Sequence, residues 1–347
     1  MTARVDSARR TAVEIARLDD SQVRALVGAA EKVGVGIGGT TRTAHVAGTP
    51  VFAKQLPVTR SEEADPFSTD NHTGLPFACH YGIGSPAHGV GRELAAHQMT
   101  SGWVRSGVVD FFPQLLGWRI IDLKPETDLS EFDGDGPRQQ WGGFWPQVET
   151  RLAEMKAARS SMVLFLEYVP ETLGSAMRRS LAAGTGKTNF AEAVDQIIVA
   201  TDRMGELGFQ HFDIHPGNIL VHEGRLLFTD FGLSLHPDFD LTADEETSMP
   251  THRGFDRDTA LMHLFHWVLF ELGYTSGEER LELLRGAADN PAAPALKPVH
   301  EALGESADLV TEHAAVIARM TELFAALRQG AFSTRYDKHR DRPSAAC

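Results

Sequence analysis

The chain has 347 residues, 42% of them hydrophobic and 23% charged, with a formal net charge of −14. That is sequence enough for one large domain or two lobes, with ample core, and the acidic balance argues against nucleic acid or an anionic membrane as the main partner. Cys79 and Cys347 make no disulfide framework, no N-terminal apolar segment reads as a signal peptide, and residues 261–272 are too short to span a membrane and carry His263 and His266, so a cytoplasmic protein is expected.

Residues 19–32 place Val23, Leu26, Val27 and Ala30 at helical spacing behind Asp20 or Ser21, and predict a helix. Residues 34–39 read GVGIGG, a G-x-G-x-x-G pattern at Gly34, Gly36 and Gly39. Glycine lets backbone N–H groups approach a phosphate without Cβ interference, but dinucleotide-binding loops share the pattern. Those loops enter a helix, whereas here a Thr-rich, β-branched stretch (40–46), a Gly48-Thr49-Pro50 turn and a strand ending at Lys54 follow. Residues 57–90, rich in Gly, Pro and His, predict an insertion packed on the first lobe; His72, Cys79, His80 and His88 match no ordinary zinc spacing.

Residues 91–99 predict a helix carrying Glu93, 111–122 a strand, turn and strand, 123–143 a mobile acidic loop, 146–158 a helix and 162–169 a strand. GTGKT at 184–188 fails the phosphate-loop pattern, because its first glycine would fall at Leu181. It predicts a loop ahead of a helix over 190–207, with Val194, Ile197, Ile198, Thr201 and Met204 at helical spacing.

The densest chemistry lies in 208–235. HFDIHPGN brings a carboxylate at Asp213 and an amide at Asn218; DFG follows at Asp230, Phe231 and Gly232. Between them, 219–221 and 226–229 flank Glu223-Gly224 and predict a hairpin, which would hold Asp213, Asn218 and Asp230 near one another. Three such oxygen-bearing side chains suit Mg²⁺, which takes few protein ligands and completes its shell with water and substrate phosphates. Beyond them, 236–250 carries Asp238, Asp240, Asp244, Glu245 and Glu246; 255–273, 277–287 and 298–327 predict helices; 333–347 predicts a disordered tail.

This order of motifs resembles the protein-kinase-like superfamily, and D-x-H-P-G-N resembles its aminoglycoside- and choline-type phosphotransferases. The resemblance covers residues 34 to about 273 and implies an α+β, bilobal fold: a small β-rich lobe over 34–166 with insertions at 57–90 and 123–158, a larger helical lobe over 167–332, and a helical extension over 1–33. It implies ATP and Mg²⁺ as cofactors, with Asp213 as catalytic base and Asn218 and Asp230 as metal ligands. Gly34, Gly36 and Gly39 would cover the phosphates, Lys54 would hold them and pair with Glu93, and backbone groups around Glu167–Val169 would meet adenine. Asp258, with Asp256 as the alternative, would brace the catalytic loop.

Phe212 stands where protein kinases carry Arg, His215 where Ser/Thr kinases commonly carry Lys, and no A-P-E follows DFG. The expected function is phosphoryl transfer from ATP to a hydroxyl of a small molecule, with cationic character suggested by the five carboxylates of 236–250. A protein serine/threonine kinase is the alternative, since DFG-Leu-Ser leans that way, and a nucleotide-binding pseudokinase is third.

Overall fold

The computed structural model describes residues 2–290 and 293–337. The protein is α+β, with a five-stranded antiparallel sheet in its N-terminal part and a largely helical C-terminal part. It divides into two compact units, the chain up to Pro170 with Leu227–Thr242, and Glu171–Leu226 with the chain from Ala243 onward.

The first unit contains α1 (Thr2–Ala16), α2 (Asp20–Ala29), β1 (Glu31–Gly36), β2 (Gly39–Val46), β3 (Thr49–Val58), α3 (Val90–Ser106), β4 (Leu115–Ile121), α4 (Asp135–Trp141), α5 (Trp145–Ala157) and β5 (Ser160–Glu167). Its sheet runs β1-β2-β3-β5-β4. Side chains alternate between the faces of a strand, and both faces here are covered. Val51 and Ala53 of β3 join Val163 and Phe165 of β5 in one core with Ile15, Val23 and Val27 from the two N-terminal helices. Leu56 and Val58, with Met162, Leu164 and Leu166, form the other core against Val90 and Leu94 of α3. That double burial explains why β5 reads as an unbroken apolar run. It also fixes where Lys54 points: it shares the parity of Leu56 and Val58, and so faces α3.

Four expectations need correction here. The helix expected over 19–32 stops at Ala29, because Glu31 and Lys32 pair with Thr43 and Arg42 as the edge of the sheet. The strand-turn-strand expected over 111–122 is the single strand β4. The stretch 123–143 is not a bare loop: it holds a short 3-10 turn at Ser130–Phe132 and α4, anchored by the buried Phe132 and Trp141. The strand expected to end at Lys54 runs on to Val58, where it pairs with Ser160.

The second unit contains α6 (Leu173–Ala182), α7 (Gly186–Glu206), β6 (Ile219–His222), α8 (Ala243–Ser248), α9 (Phe255–Glu271), α10 (Gly277–Asp289), α11 (Lys297–Leu303) and α12 (Asp308–Arg328). The chain leaves this unit within β7 (Arg225–Phe228), which pairs with β6 as the expected hairpin. Helix α9 is apolar on most of its circumference and buried between α7 and α12; Phe190 of α7 meets Phe265 edge-on, with ring centroids 5.0 Å apart. The tail expected to be disordered begins ordered: Tyr336 is buried and its hydroxyl donates to Asp258 Oδ2 at 2.7 Å. Residues 338–347 of that expectation lie outside the described residues. Among the described residues no helix is long and apolar enough to cross a membrane.

Candidate functional site

In the first unit three charged side chains meet. Lys54 Nζ lies 2.6 Å from Glu93 Oε1 and donates to Asp230 Oδ1 at 2.8 Å. The strand supplies the lysine, the first turn of α3 the glutamate, and the segment after β7 the aspartate. Lys54 and Glu93 are nearly enclosed, with side-chain exposures of 11% and 5%, whereas Asp230 remains 43% exposed. Burial depresses the Lys54 pKa, but the charges of Asp230 and Glu93 outweigh it and hold the ammonium well above its ordinary range. Burial pushes Glu93 up, Lys54 pulls it back, and the second carboxylate at Asp230 pushes it up again. One ammonium thus serves two carboxylates, only one of which is open enough to take another partner.

Asp230 has φ +69, a left-handed conformation that costs a non-glycine residue about 1–3 kcal/mol and is concentrated at functional sites. The next residue, Phe231, is fully buried, its ring 4.5 Å from that of His97 and 5.7 Å from that of Phe112. This aromatic anchor leaves the carboxylate oriented by its neighbours.

The three sequence glycines sit on the β1–β2 hairpin, Gly34 and Gly36 within β1 and Gly39 opening β2. Gly39 is required by the fold itself: its φ is +129, and a Cβ there would lie 2.0 Å from the Gln55 carbonyl oxygen. Gly36 and Gly38 have open space around them, and Gly34 would meet Thr41 Oγ1 at an ordinary 3.5 Å. The packing of this unit therefore does not demand glycine at 34, 36 or 38. The Gly36 carbonyl accepts from the Asp128 N–H at 3.0 Å, tying the hairpin to the segment after β4.

At the end of β5 the Glu167 N–H donates to the Gln114 carbonyl at 2.9 Å, so this donor is committed within the sheet. The Glu167 carboxylate is gripped by Arg4 of α1, Nε to Oε1 at 2.7 Å and Nη2 to Oε2 at 2.8 Å, while Arg4 Nη1 donates to the Asp110 carbonyl at 2.9 Å. A bidentate Arg–carboxylate pair fixes orientation as well as charge. Val169, two residues on, is buried. Nothing in the sequence pointed to Arg4, since its partner lies 163 positions away.

In the second unit Asp213 and Asn218 form a local structure. Asn218 Nδ2 donates to Asp213 Oδ2 at 2.9 Å and to the Asp213 carbonyl at 3.1 Å, and the Asn218 N–H donates to the His215 carbonyl at 2.8 Å. With the amide nitrogen committed to Asp213, Oδ1 is the atom that could ligate a hard cation. His215 Nδ1 accepts from the Gly217 N–H at 3.1 Å, and a Cβ on Gly217 would lie 2.8 Å from that ring and displace it.

Asp256, not Asp258, braces this loop. Its carboxylate accepts the N–H groups of His211 (2.7 Å) and Phe212 (2.8 Å). Phe212 has φ +66, so the brace holds a strained residue directly before Asp213. Asp258 is engaged elsewhere, accepting from Tyr336 and pairing with Arg319 at 3.4 Å. Phe212 itself is buried between Phe255 and His252, with centroids 5.2 and 5.7 Å away.

Burial raises the Asp256 pKa to about 6 from an ordinary 3.8, against the pull of the two N–H donors. Its ionisation therefore costs stability above pH 6, and that cost disappears as the pH falls below about 4. The amide resonances of His211 and Phe212 are expected to titrate together with a midpoint near pH 6, and to lose that titration in Asp256→Asn. A midpoint near 4 would contradict the assigned environment.

The five carboxylates of 236–250 do not form a uniform solvated run. Glu245 is buried, Asp240 accepts from the Thr69 hydroxyl at 2.8 Å, and Asp244 pairs with Arg335 at 3.3 Å. No protein-family model matches this chain, and no curated protein is a significant match to it.

Proposed function

We propose that this protein is a phosphotransferase of the protein-kinase-like, bilobal type, moving the γ-phosphate of ATP to a hydroxyl of a small molecule. The observation that carries the reading is Lys54 bridging Glu93 and Asp230 at 2.6 and 2.8 Å. Those are the three residues that the resemblance assigns to phosphate and metal handling, and they come from distant parts of the chain. The Asp213–Asn218 pair, the Asp256 brace and the left-handed residues at Phe212 and Asp230 support it further.

In this reading Lys54 orients the phosphates, while the open β1–β2 glycines let backbone N–H groups approach them. Asp213 accepts the proton of the acceptor hydroxyl. Asn218 and Asp230 supply the hard oxygen donors that suit Mg²⁺, which neutralises charge on the transferring phosphoryl group when bound. Glu167 and Val169 border the adenine region, with Arg4 holding the Glu167 side chain. Phe212, packed among aromatic rings, offers no cation for reading a phosphorylated segment, which favours a small acceptor over a regulated protein-kinase mechanism. Glu245 is buried and Asp240 and Asp244 are engaged, so only part of the acidic run is available to attract a cationic acceptor.

The test is incubation with γ-labelled ATP and Mg²⁺, with and without a panel of small hydroxyl compounds. Label is expected on a small acceptor. Faster labelling of a basic peptide would replace the reading with a protein kinase, and absence of turnover would point to a nucleotide-binding pseudokinase.

The Lys54–Glu93 pair makes a second prediction. Lys54→Ala and Glu93→Ala are expected to be strongly non-additive in kcat/KM, with a coupling of about 1–3 kcal/mol, because either change disables the same unit. Additive losses would assign the lysine another partner.

A further inference from the structure

We infer that residues 57–90 and 123–158 form an internal latch on α3, with Glu62 and Arg151 as positioning residues for the Lys54–Glu93 pair; the functional part of this inference rests on the phosphotransferase reading.

Helix α3 begins without a side-chain cap of its own. Its N-cap is Gly89, at φ +136. The first N–H groups of a helix have no intrahelical acceptor, and here a distant residue supplies one: the Val90 N–H donates to Glu62 Oε1 at 2.9 Å. The second oxygen of Glu62 accepts from the Thr59 N–H at 2.9 Å and from the Thr59 hydroxyl at 2.5 Å, and lies 3.2 Å from Arg151 Nη1. Glu62 and Arg151 are 2% and 3% exposed. Burial pushes the Glu62 pKa up, but Arg151 and the Thr59 and Val90 donors outweigh it and hold it below the ordinary carboxylate range. One buried carboxylate therefore joins the segment after β3, the helix α5 and the start of α3.

The first turn of α3 is shaped for this approach. A Cβ on Gly89 would lie 2.3 Å from Glu62 Oε1, and a Cβ on Gly91 would lie 2.0 Å from the Ser68 carbonyl oxygen. Arg92, almost fully buried, donates from Nε to the Thr69 carbonyl at 2.5 Å and from Nη2 to the Asp240 carbonyl at 3.3 Å. Thr69 is bonded in turn to Asp240, its Oγ1 accepting the Asp240 N–H at 2.7 Å. The latch thus grips the residues on either side of Glu93's turn. Glu93 is three positions beyond Val90 on the same rigid helix, so a displacement of the helix start moves its carboxylate away from Lys54. The consequence is a Lys54–Glu93 pair assembled by the chain's own insertions.

The test uses the full chain and three variants. Glu62→Asp keeps the charge opposite Arg151 but shortens the reach to Val90. Arg151→Lys keeps the opposite charge but loses the fork, and serves if Glu62→Asp does not fold. Hydrogen exchange of the α3 backbone amides over 90–96 is expected to rise in either variant, while β2 and β3 stay protected. Glu62→Asp is expected to lower kcat of ATP turnover about tenfold with KM for ATP changed less than about twofold. In a Glu93→Gln background it is expected to add no further loss, whereas a merely structural role would multiply the two losses. Unchanged α3 exchange, or multiplicative losses, would overturn the latch. A wild-type protein without turnover would sink the phosphotransferase reading instead, and the exchange result alone would then decide whether α3 is latched.

Discussion

Asp213→Ala is expected to reduce kcat by about 10³-fold while leaving Mg²⁺-ATP affinity within about twofold of wild type. General-base catalysis contributes roughly 10²–10⁴-fold, and in the proposed reaction Asp213 acts on the acceptor hydroxyl rather than on the nucleotide. Its carboxylate is held by Asn218 at 2.9 Å, and the backbone before it is fixed by Asp256 at 2.7 and 2.8 Å. A base oriented on both sides in this way is preorganised, so its removal should appear in turnover rather than in binding. Near-wild-type turnover by the variant, measured with the acceptor that the labelling panel identifies, would remove Asp213 from that role.

Asp230→Ala should act on the other half of the reaction. Asp230 is the exposed member of the Lys54 cluster, with 43% of its side-chain surface accessible against 5% for Glu93. It is therefore the carboxylate with room for a cation. Its loss is expected to abolish the enhancement of ATP binding by Mg²⁺, weakening apparent affinity by about 100-fold, or ~3 kcal/mol. Titration calorimetry with ATP, with and without Mg²⁺, measures this directly. Asp230→Asn is the companion variant, because Asn tolerates the left-handed backbone at φ +69 better than Ala. If either variant keeps the full Mg²⁺ enhancement, the metal ligand lies elsewhere.

The two variants also separate the roles that the motifs assign. Asp213→Ala should bind nucleotide and fail to transfer; Asp230→Ala should fail at the metal-dependent binding itself. The same ordering would not arise if these carboxylates were only polar ends of a structural hairpin, since both variants would then lose stability and leave any residual kinetics unchanged in form.

What the sequence by itself determined was local in origin. The β6–β7 hairpin follows from apolar runs around Glu223-Gly224, and the Asp213–Asn218 geometry from six residues whose hydrogen bonds close on one another. The glycine hairpin, a strand carrying Lys54, and the helices carrying Glu93 and Phe255 were legible because alternation and helical spacing are properties of neighbours. Tertiary structure decided whatever depended on how one element is rotated or placed against another. Asp256 and Asp258 lie two positions apart on one helix, about 200° around its axis, so only packing chooses which reaches the His211 and Phe212 amides. Glu62 has no local mark of a role, yet it closes the start of α3, with Arg151 of α5 brought to it from 89 positions away. Arg4 gripping Glu167 has no local trace either. Burial also turned part of the acidic run after DFG inward, at Glu245, for composition records charge but not the side of the chain on which it folds.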